Sequence, residues 1–192
     1  MINWISKLFG KNEQLEQLEP QKQTKKTAKE ELLDMLDMAE MITRLKKHEG
    51  CVLHPYICPA GKLTIGIGRN VMDNPFTDEE RIAVGDWQNG ITKEAAHMLC
   101  RNDISKCITQ LRQHVPFFDK LDKERKYALI DLCYNMGIKT LLTFKKTLAN
   151  IGCGNYKIAA EQLLQSKYAK QVGDRALRIA KLIETGRWEL CL

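Results

Sequence analysis

Glu49, Cys58 and Thr64 stand along one short stretch of the chain, with eight residues and then five between them. A carboxylic acid is a natural proton donor to a leaving oxygen, and a thiol or hydroxyl can hold an attacking water. The surrounding residues, HEGCVLHPYICPAGKLTIGIG at 48–68, read as a helix end followed by a hairpin with its turn at Pro59-Ala60-Gly61-Lys62. Folding that hairpin carries Cys58 and Thr64 back towards Glu49. The negative end of a helix dipole disfavours a carboxylate at position 49, and partial burial adds in the same sense, which suits a general acid. The same residues also suit a helix-end glutamate, a core thiol and a strand threonine with no shared task, and spacing alone leaves both readings open.

Two rival chemistries use the same stretch. His48, Cys51, His54 and Cys58 form an H-x2-C-x2-H-x3-C series, which offers borderline zinc ligands within a short span. Alternation along a strand points neighbouring side chains to opposite faces, which argues against convergence, and no metal or cofactor is expected. A cysteine nucleophile oriented by histidine is weaker still, because nothing selects one of the four histidines.

The elements that must position these residues are largely helical. A Thr27–Glu30 capping box opens a helix whose apolar positions Leu32, Leu33, Leu36, Met41, Ile42 and Leu45 run to His48, where Gly50 stops it. Residues 69–91 read as loop-rich, punctuated by Asn74-Pro75 and Asn89-Gly90. Thr92 caps a helix carrying Ala95, Leu99, Ile104 and Ile108, and Asp122 caps the apolar run YALIDLCYNMG, closed by Gly137. Further helices are expected at 140–151, 156–166 and 174–185. The fold class is α+β: a small β-hairpin lobe and a larger helical lobe.

Composition sets the wider frame. The 192 residues carry a net charge of +6, while residues 1–38 hold six lysines against seven acids, so the body beyond them carries +7. Such a body favours anionic partners, among them acidic wall polymers. The basic residues form no nucleic-acid module, and no nucleic-acid partner is expected. Seven cysteines cannot all pair, and most sit among apolar helical residues, which implies folding in a reducing cytoplasm. No apolar run reaches the roughly 18 residues of a membrane span. MINWISKLFG is too short and polar for a signal core, so any work outside the cytoplasm needs another route out. Residues 1–30 form an extension: Trp4, Ile5, Leu8 and Phe9 give an apolar tip able to touch a membrane surface or pack on protein, followed by the polar linker 11–27. The main domain is placed at 31–192, as a monomer.

Taken together, LKKHEGCVLHPYICPAGKLTIGIGR, FDKLDKERKYALIDLCYNMG and FKKTLANIGCGNYKIAAEQLLQSKYAKQVGDRALRIAKLIETGRW resemble, in order, the T4-type phage lysozymes of glycoside hydrolase family 24 over about residues 38–190. The resemblance implies a lysozyme-like fold whose lobes are joined by a helix. It also implies a muramidase cleaving the β-1,4 bond between N-acetylmuramic acid and N-acetylglucosamine in peptidoglycan glycan strands. Glu49 is then the general acid, and the family's Asp and Thr hold water on the opposite sugar face, giving inversion. Thr64 matches the Thr, but Cys58 stands at the Asp position. An unperturbed thiol is only about 3% ionised at pH 7, so Cys58 is expected to orient water or, as thiolate, to offset oxocarbenium charge. A bystander thiol is the competing expectation.

The same resemblance makes Arg175 the partner of Glu49, Asn135 a polar neighbour, and Asn70, Tyr134, Thr147 and Gln162 saccharide contacts. It pairs Arg69 with Asp103, worth at most about 1 kcal/mol if exposed. Cys51, two residues after Glu49, is a candidate redox partner for Cys58. The biological role implied is an endolysin made in the host bacterial cytoplasm that reaches the wall after a holin permeabilises the membrane. A non-catalytic wall-binding relative, and a virion-associated lysozyme docked by its N-terminal segment, are the alternatives.

Overall fold

The computed structural model describes residues 28–59 and 61–188. The apolar tip, the linker, the Thr27 cap, Ala60 of the hairpin turn and residues 189–192 lie outside the described residues. Helix α1, Ala28–Glu49, already spans the expected boundary at residue 31. Three antiparallel strands follow in the order β1 (Val52–Ile57), β2 (Leu63–Gly66) and β3 (Arg69–Asn70). Beyond them lie α2 (Asp78–Val84), α3 (Lys93–His114), α4 (Lys123–Leu141), α5 (Lys145–Gly152), α6 (Tyr156–Leu164), α7 (Lys167–Val172) and α8 (Asp174–Thr185). The α+β class read from the sequence is the one observed.

Two apolar cores divide the chain. Under the sheet, Ile65, Val71, Phe76, Val84, Ile91, Ala96 and Leu99 pack together. In the helical lobe, Leu45, Ile104, Leu111, Leu129, Leu132, Leu148, Leu163 and Ile183 are among the residues of a larger core. Helix α3 supplies Leu99 to the first core and Cys100, Ile104 and Leu111 to the second, so one rigid rod joins the lobes. The side chains of Thr92 and Asp122 cap α3 and α4 as the sequence implies, accepting from the backbone N–H groups of Ala95 and Arg125.

Two elements go beyond the expectations. The loop-rich stretch 69–91 holds a short helix. Thr77 and Glu80 form a complete capping box, and this stabilises the seven-residue helix α2 despite the strongly exposed Ile82 on its outer face. Gly137 closes the apolar run as expected: with φ of 77° and ψ of 156° it leaves helical geometry, and Ile138–Leu141 follow as a separate turn. The stretch after Leu164 forms a separate short helix, α7, capped by Ser166, whose hydroxyl accepts from the N–H of Ala169.

The Arg69–Asp103 pair is not the exposed one to which the small energy applied. Both side chains are buried, and Glu80 joins them: Arg69 donates through Nε to Asp103 at 2.7 Å and through Nη2 to Glu80 at 2.8 Å. Glu80 caps α2 and neutralises Arg69 at once, so one side chain fixes a helix start and a buried charge.

Candidate active site

Helix α1 delivers Glu49 at its last turn, where the chain reverses through Gly50 into β1. On the opposite side of the site, Arg175 rises from the first turn of α8 and pairs through Nη1 with the Glu49 carboxylate. Arg175 also donates through Nε to Asp131 of α4 at 2.9 Å, so one guanidinium bridges two carboxylates. Next to Asp131 stands His48, whose Nε2 is 3.9 Å from the carboxylate. Desolvation is the larger influence on both: it raises Asp131 above the usual carboxylate range against the pull of Arg175, and it lowers His48.

Gly68 closes the site from the β side. Its φ is +71°, and a Cβ there would sit 2.9 Å from Glu49 Oε2. The absence of a side chain is what lets the β2–β3 turn lie against the carboxylate.

Cys58 and Thr64 meet through the hairpin register. Tyr56 pairs with Thr64, and Ile57 with Leu63. The Lys62 carbonyl accepts both the Cys58 N–H, at 2.9 Å, and the Thr64 hydroxyl, at 3.0 Å. That shared acceptor ties the two residues across the turn. It also leaves the Thr64 oxygen lone pairs as acceptors for a water. By strand alternation Tyr56, Cys58 and Thr64 share one face of the hairpin. Burial, followed by the charge of Glu49 and then of Cys58, raises the Tyr56 phenol, so Tyr56 stands in the field of both residues. Tyr56, Cys58 and Thr64 therefore share one face of the hairpin, with Tyr56 in the field of Glu49.

An interlobe cavity of about 620 Å³ reaches Gly68, beside Glu49. Asn70, Tyr134 and Asn135 line it, along with Gln110 and Lys106. The Asn70 side chain is already engaged in the turn, accepting from the N–H groups of Met72 and Asp73 at 3.0 and 3.1 Å. Tyr134 donates its hydroxyl to the Ile67 carbonyl at 2.5 Å, so it presents ring rather than hydroxyl to the cavity. Thr147 is buried in α5, and Gln162 on α6 accepts from Asn150 at 3.3 Å. Neither is among the residues lining this cavity.

The geometry does not allow the proposed pairing of Cys51 with Cys58. Val52 sits opposite Gly66, whereas Cys58 sits opposite Lys62, so the cysteines lie four to five strand positions apart. At ~3.3 Å per position that is about 15 Å, roughly twice the Cα limit of a disulfide. Cys51 instead packs between the two cores. The histidine–cysteine series also fails to converge, since His48 faces Asp131 while His54 lies against Gly90. Sequence reasoning missed Tyr56, Gly68 and Asp131. Strand alternation from Cys58 pointed to Tyr56, and a lone acid in the apolar run YALIDLCYNMG pointed to Asp131.

The profile of the family described as "Phage lysozyme" matches residues 46–183. The chain is 30% identical over 156 residues to "Probable T4-type lysozyme 1" of Dictyostelium discoideum, covering 74% of this chain and 92% of that protein. It is 28% identical over 131 residues to "Endolysin" of Acyrthosiphon pisum secondary endosymbiont phage 1, covering 68% and 80% of the two chains. A 29% identity over 158 residues links it to "Pre-baseplate central spike protein Gp5" of Enterobacteria phage T4. That match takes 76% of this chain but only 28% of the spike protein.

Proposed function

Because the chain belongs to the phage lysozyme family and is a muramidase-type glycoside hydrolase, we propose that it hydrolyses the β-1,4 bond between N-acetylmuramic acid and N-acetylglucosamine, with Glu49 as general acid. The observation that carries this reading is the placement of Glu49. Its carboxylate is held between Arg175 and Gly68, which lines the interlobe cavity, and its side chain keeps 19% exposure. A fully buried acid could not reach a glycosidic oxygen, and a fully exposed one would have no fixed aim.

Glu49 protonates the leaving oxygen as the bond to the anomeric carbon breaks. A water on the opposite sugar face, accepted by the Thr64 oxygen and oriented by the Cys58 sulfur, forms the new bond and gives up its proton to solvent, with inversion. Tyr134 and Asn135 shape the cleft wall for the glycan, Asn70 shapes its turn, and the basic body draws the protein to an anionic wall. The protein acts as an endolysin: a monomer made in the host cytoplasm, released to the wall once a holin opens the membrane.

The test is digestion of purified peptidoglycan followed by analysis of the muropeptides. Reducing N-acetylmuramic ends are expected. N-acetylglucosamine reducing ends, or 1,6-anhydro ends, would replace this reading with a different bond or with transglycosylation. The similarity to a phage spike protein favours a second reading, a lysozyme carried in the virion. Deleting residues 1–27 and assaying lysis and particle incorporation separates the two: loss of incorporation with lysis kept selects the virion role.

A further inference from the structure

We propose that Cys107 and Cys133 form an oxidisable dithiol in the wall of the interlobe cavity, which a small hydroperoxide converts into a disulfide tying α3 to α4. The inference concerns residues outside the proposed reaction and does not depend on the roles given to Glu49 or Cys58.

The two cysteines come from different helices, Cys107 from α3 and Cys133 from α4. Their thiols are hydrogen-bonded to each other. Cys133 Sγ also donates to Gln110 Oε1 at 3.9 Å, one turn along α3 from Cys107. Cys107, Gln110 and Cys133 all line the cavity of about 620 Å³. Each cysteine is more than nine-tenths buried, which closes the pair to a protein-sized reagent. Hydrogen peroxide is little larger than water, and the cavity admits it. Two thiols already in contact need only rotate and close to the roughly 2 Å of a sulfur–sulfur bond. The bridge would sit in the wall that carries Tyr134 and Asn135, the next two residues of α4.

The thiol–thiol bond also divides the work. It raises Cys107, with burial adding in the same sense, and it lowers Cys133 against the effect of burial. Cys133 is therefore the thiol that ionises first and attacks, while Cys107 keeps its proton and resolves. Cys100, earlier on the same helix, shows the contrasting case. It is not on the cavity lining, its Sγ lies 3.7 Å from the Tyr134 hydroxyl, and burial pushes it up to about 12.

In the first step the Cys133 thiolate attacks one peroxide oxygen and the oxygen–oxygen bond breaks. Hydroxide leaves, takes a proton and becomes water, and Cys133 is left as a sulfenic acid. The Cys107 sulfur then attacks the Cys133 sulfur and the sulfur–oxygen bond breaks. The leaving oxygen departs as a second water, carrying the Cys107 proton. Two thiols and one peroxide thus give one disulfide and two waters: the thiol pair loses two electrons and the peroxide gains them.

The experiment exposes the reduced full chain to graded hydrogen peroxide, alkylates the remaining thiols and maps the peptides without reduction. The expected product, in most molecules, is a linked pair of peptides carrying Cys107 and Cys133, separated again by dithiothreitol, while Cys100 is recovered as a thiol. Recovery of both Cys107 and Cys133 as thiols after the exposed Cys153 has been oxidised overturns the proposal. Linkage of either residue to another cysteine in place of this pair overturns it as well. Cys107→Ser should stop at the sulfenic acid of Cys133, captured by a dimedone probe, and a variant whose Cys133 resists the probe removes the order of attack. The wild-type map decides the pairing even if that variant does not fold.

Discussion

Arg69 and Arg175 each meet two carboxylates, but their surroundings differ in completeness. Around Arg69, Nε goes to Asp103, Nη1 to Glu80 and the Asn74 carbonyl, and Nη2 to Glu80 and the Leu99 carbonyl. Its carboxylates are saturated too, with Asn74 donating to Asp103 at 2.5 Å and Asn102 to Glu80 at 2.8 Å. Around Arg175 one nitrogen lacks an acceptor among the described residues. Its partner Glu49 keeps 19% side-chain exposure, against 4% for Glu80. A fully satisfied buried network specifies structure, while a partly exposed carboxylate held by one arginine can still meet a substrate. Glu80 shows the first outcome: although desolvation pushes the other way, its hydrogen bonds from Arg69, Asn102 and Thr77 hold its carboxyl at about 2.

The comparison breaks hardest at Glu49. Glu49→Gln keeps an acceptor for Arg175 but removes the proton, so wall-lysing activity should fall by about 10³-fold, within the range typical of general acids. Its melting temperature should stay within a few degrees of wild type. A turbidity assay on purified walls, beside thermal denaturation, reads both. Retained lysis would move this chain to the class of non-catalytic wall binders.

The opposite pattern is expected at Arg69. Arg69→Met leaves Asp103 and Glu80 buried without their cation, and breaking such a pair costs about 3–5 kcal/mol. Denaturant unfolding should show that loss, while kcat of the protein that remains folded stays near wild type. A change in kcat as large as the change in stability would mean that the two arginine sites are coupled through α3.

How much of this contrast was legible in the sequence depended on whether a residue's partner was local. Cys58 and Thr64 were readable as neighbours because one hairpin brings them together, and hairpins announce themselves through turn residues and alternation. The helix starts at Thr92 and Asp122 were readable for the same reason, since a cap acts within three residues. Helix α2 was signalled locally as well, by the capping pair Thr77 and Glu80, which the loop-rich reading of residues 69–91 passed over. The shared use of Arg175 and the joining of Glu80 to Arg69 depend on tertiary approach, and no local pattern encodes it. Cys51 failed for a complementary reason: nearness in sequence suggested a partner that an extended strand holds apart.

Cys58 tests the hairpin half of the active site. If its sulfur orients the attacking water, Cys58→Ala should lower kcat about 10-fold to 100-fold, and Cys58→Asp should restore a carboxylate and with it most of the rate. Neither change should move stability by more than about 1 kcal/mol, because the side chain is only partly buried. Full activity in the alanine form would leave Glu49 carrying the reaction without help from the thiol.

The smallest expected effect is the most local, at Gly68. Replacing it by alanine places a methyl group 2.9 Å from Glu49 Oε2, at a backbone φ of +71° that L-residues adopt reluctantly. The conformational cost is about 1 kcal/mol. The methyl group must also displace a carboxylate that Arg175 holds from the other side, so the strain falls on the aim of the acid rather than on either core. Gly68→Ala should therefore lower kcat about tenfold with KM nearly constant, since the sugar contacts of the cleft wall remain. The matching change at Gly66, whose Cβ would meet Ala96 and Ile91 at an ordinary 3.5 Å, shares the left-handed φ but does not touch Glu49. Gly66→Ala should lose similar stability and keep its kcat. Equal kcat losses in the two variants would trace the effect to backbone strain in the sheet instead of to the position of the carboxylate.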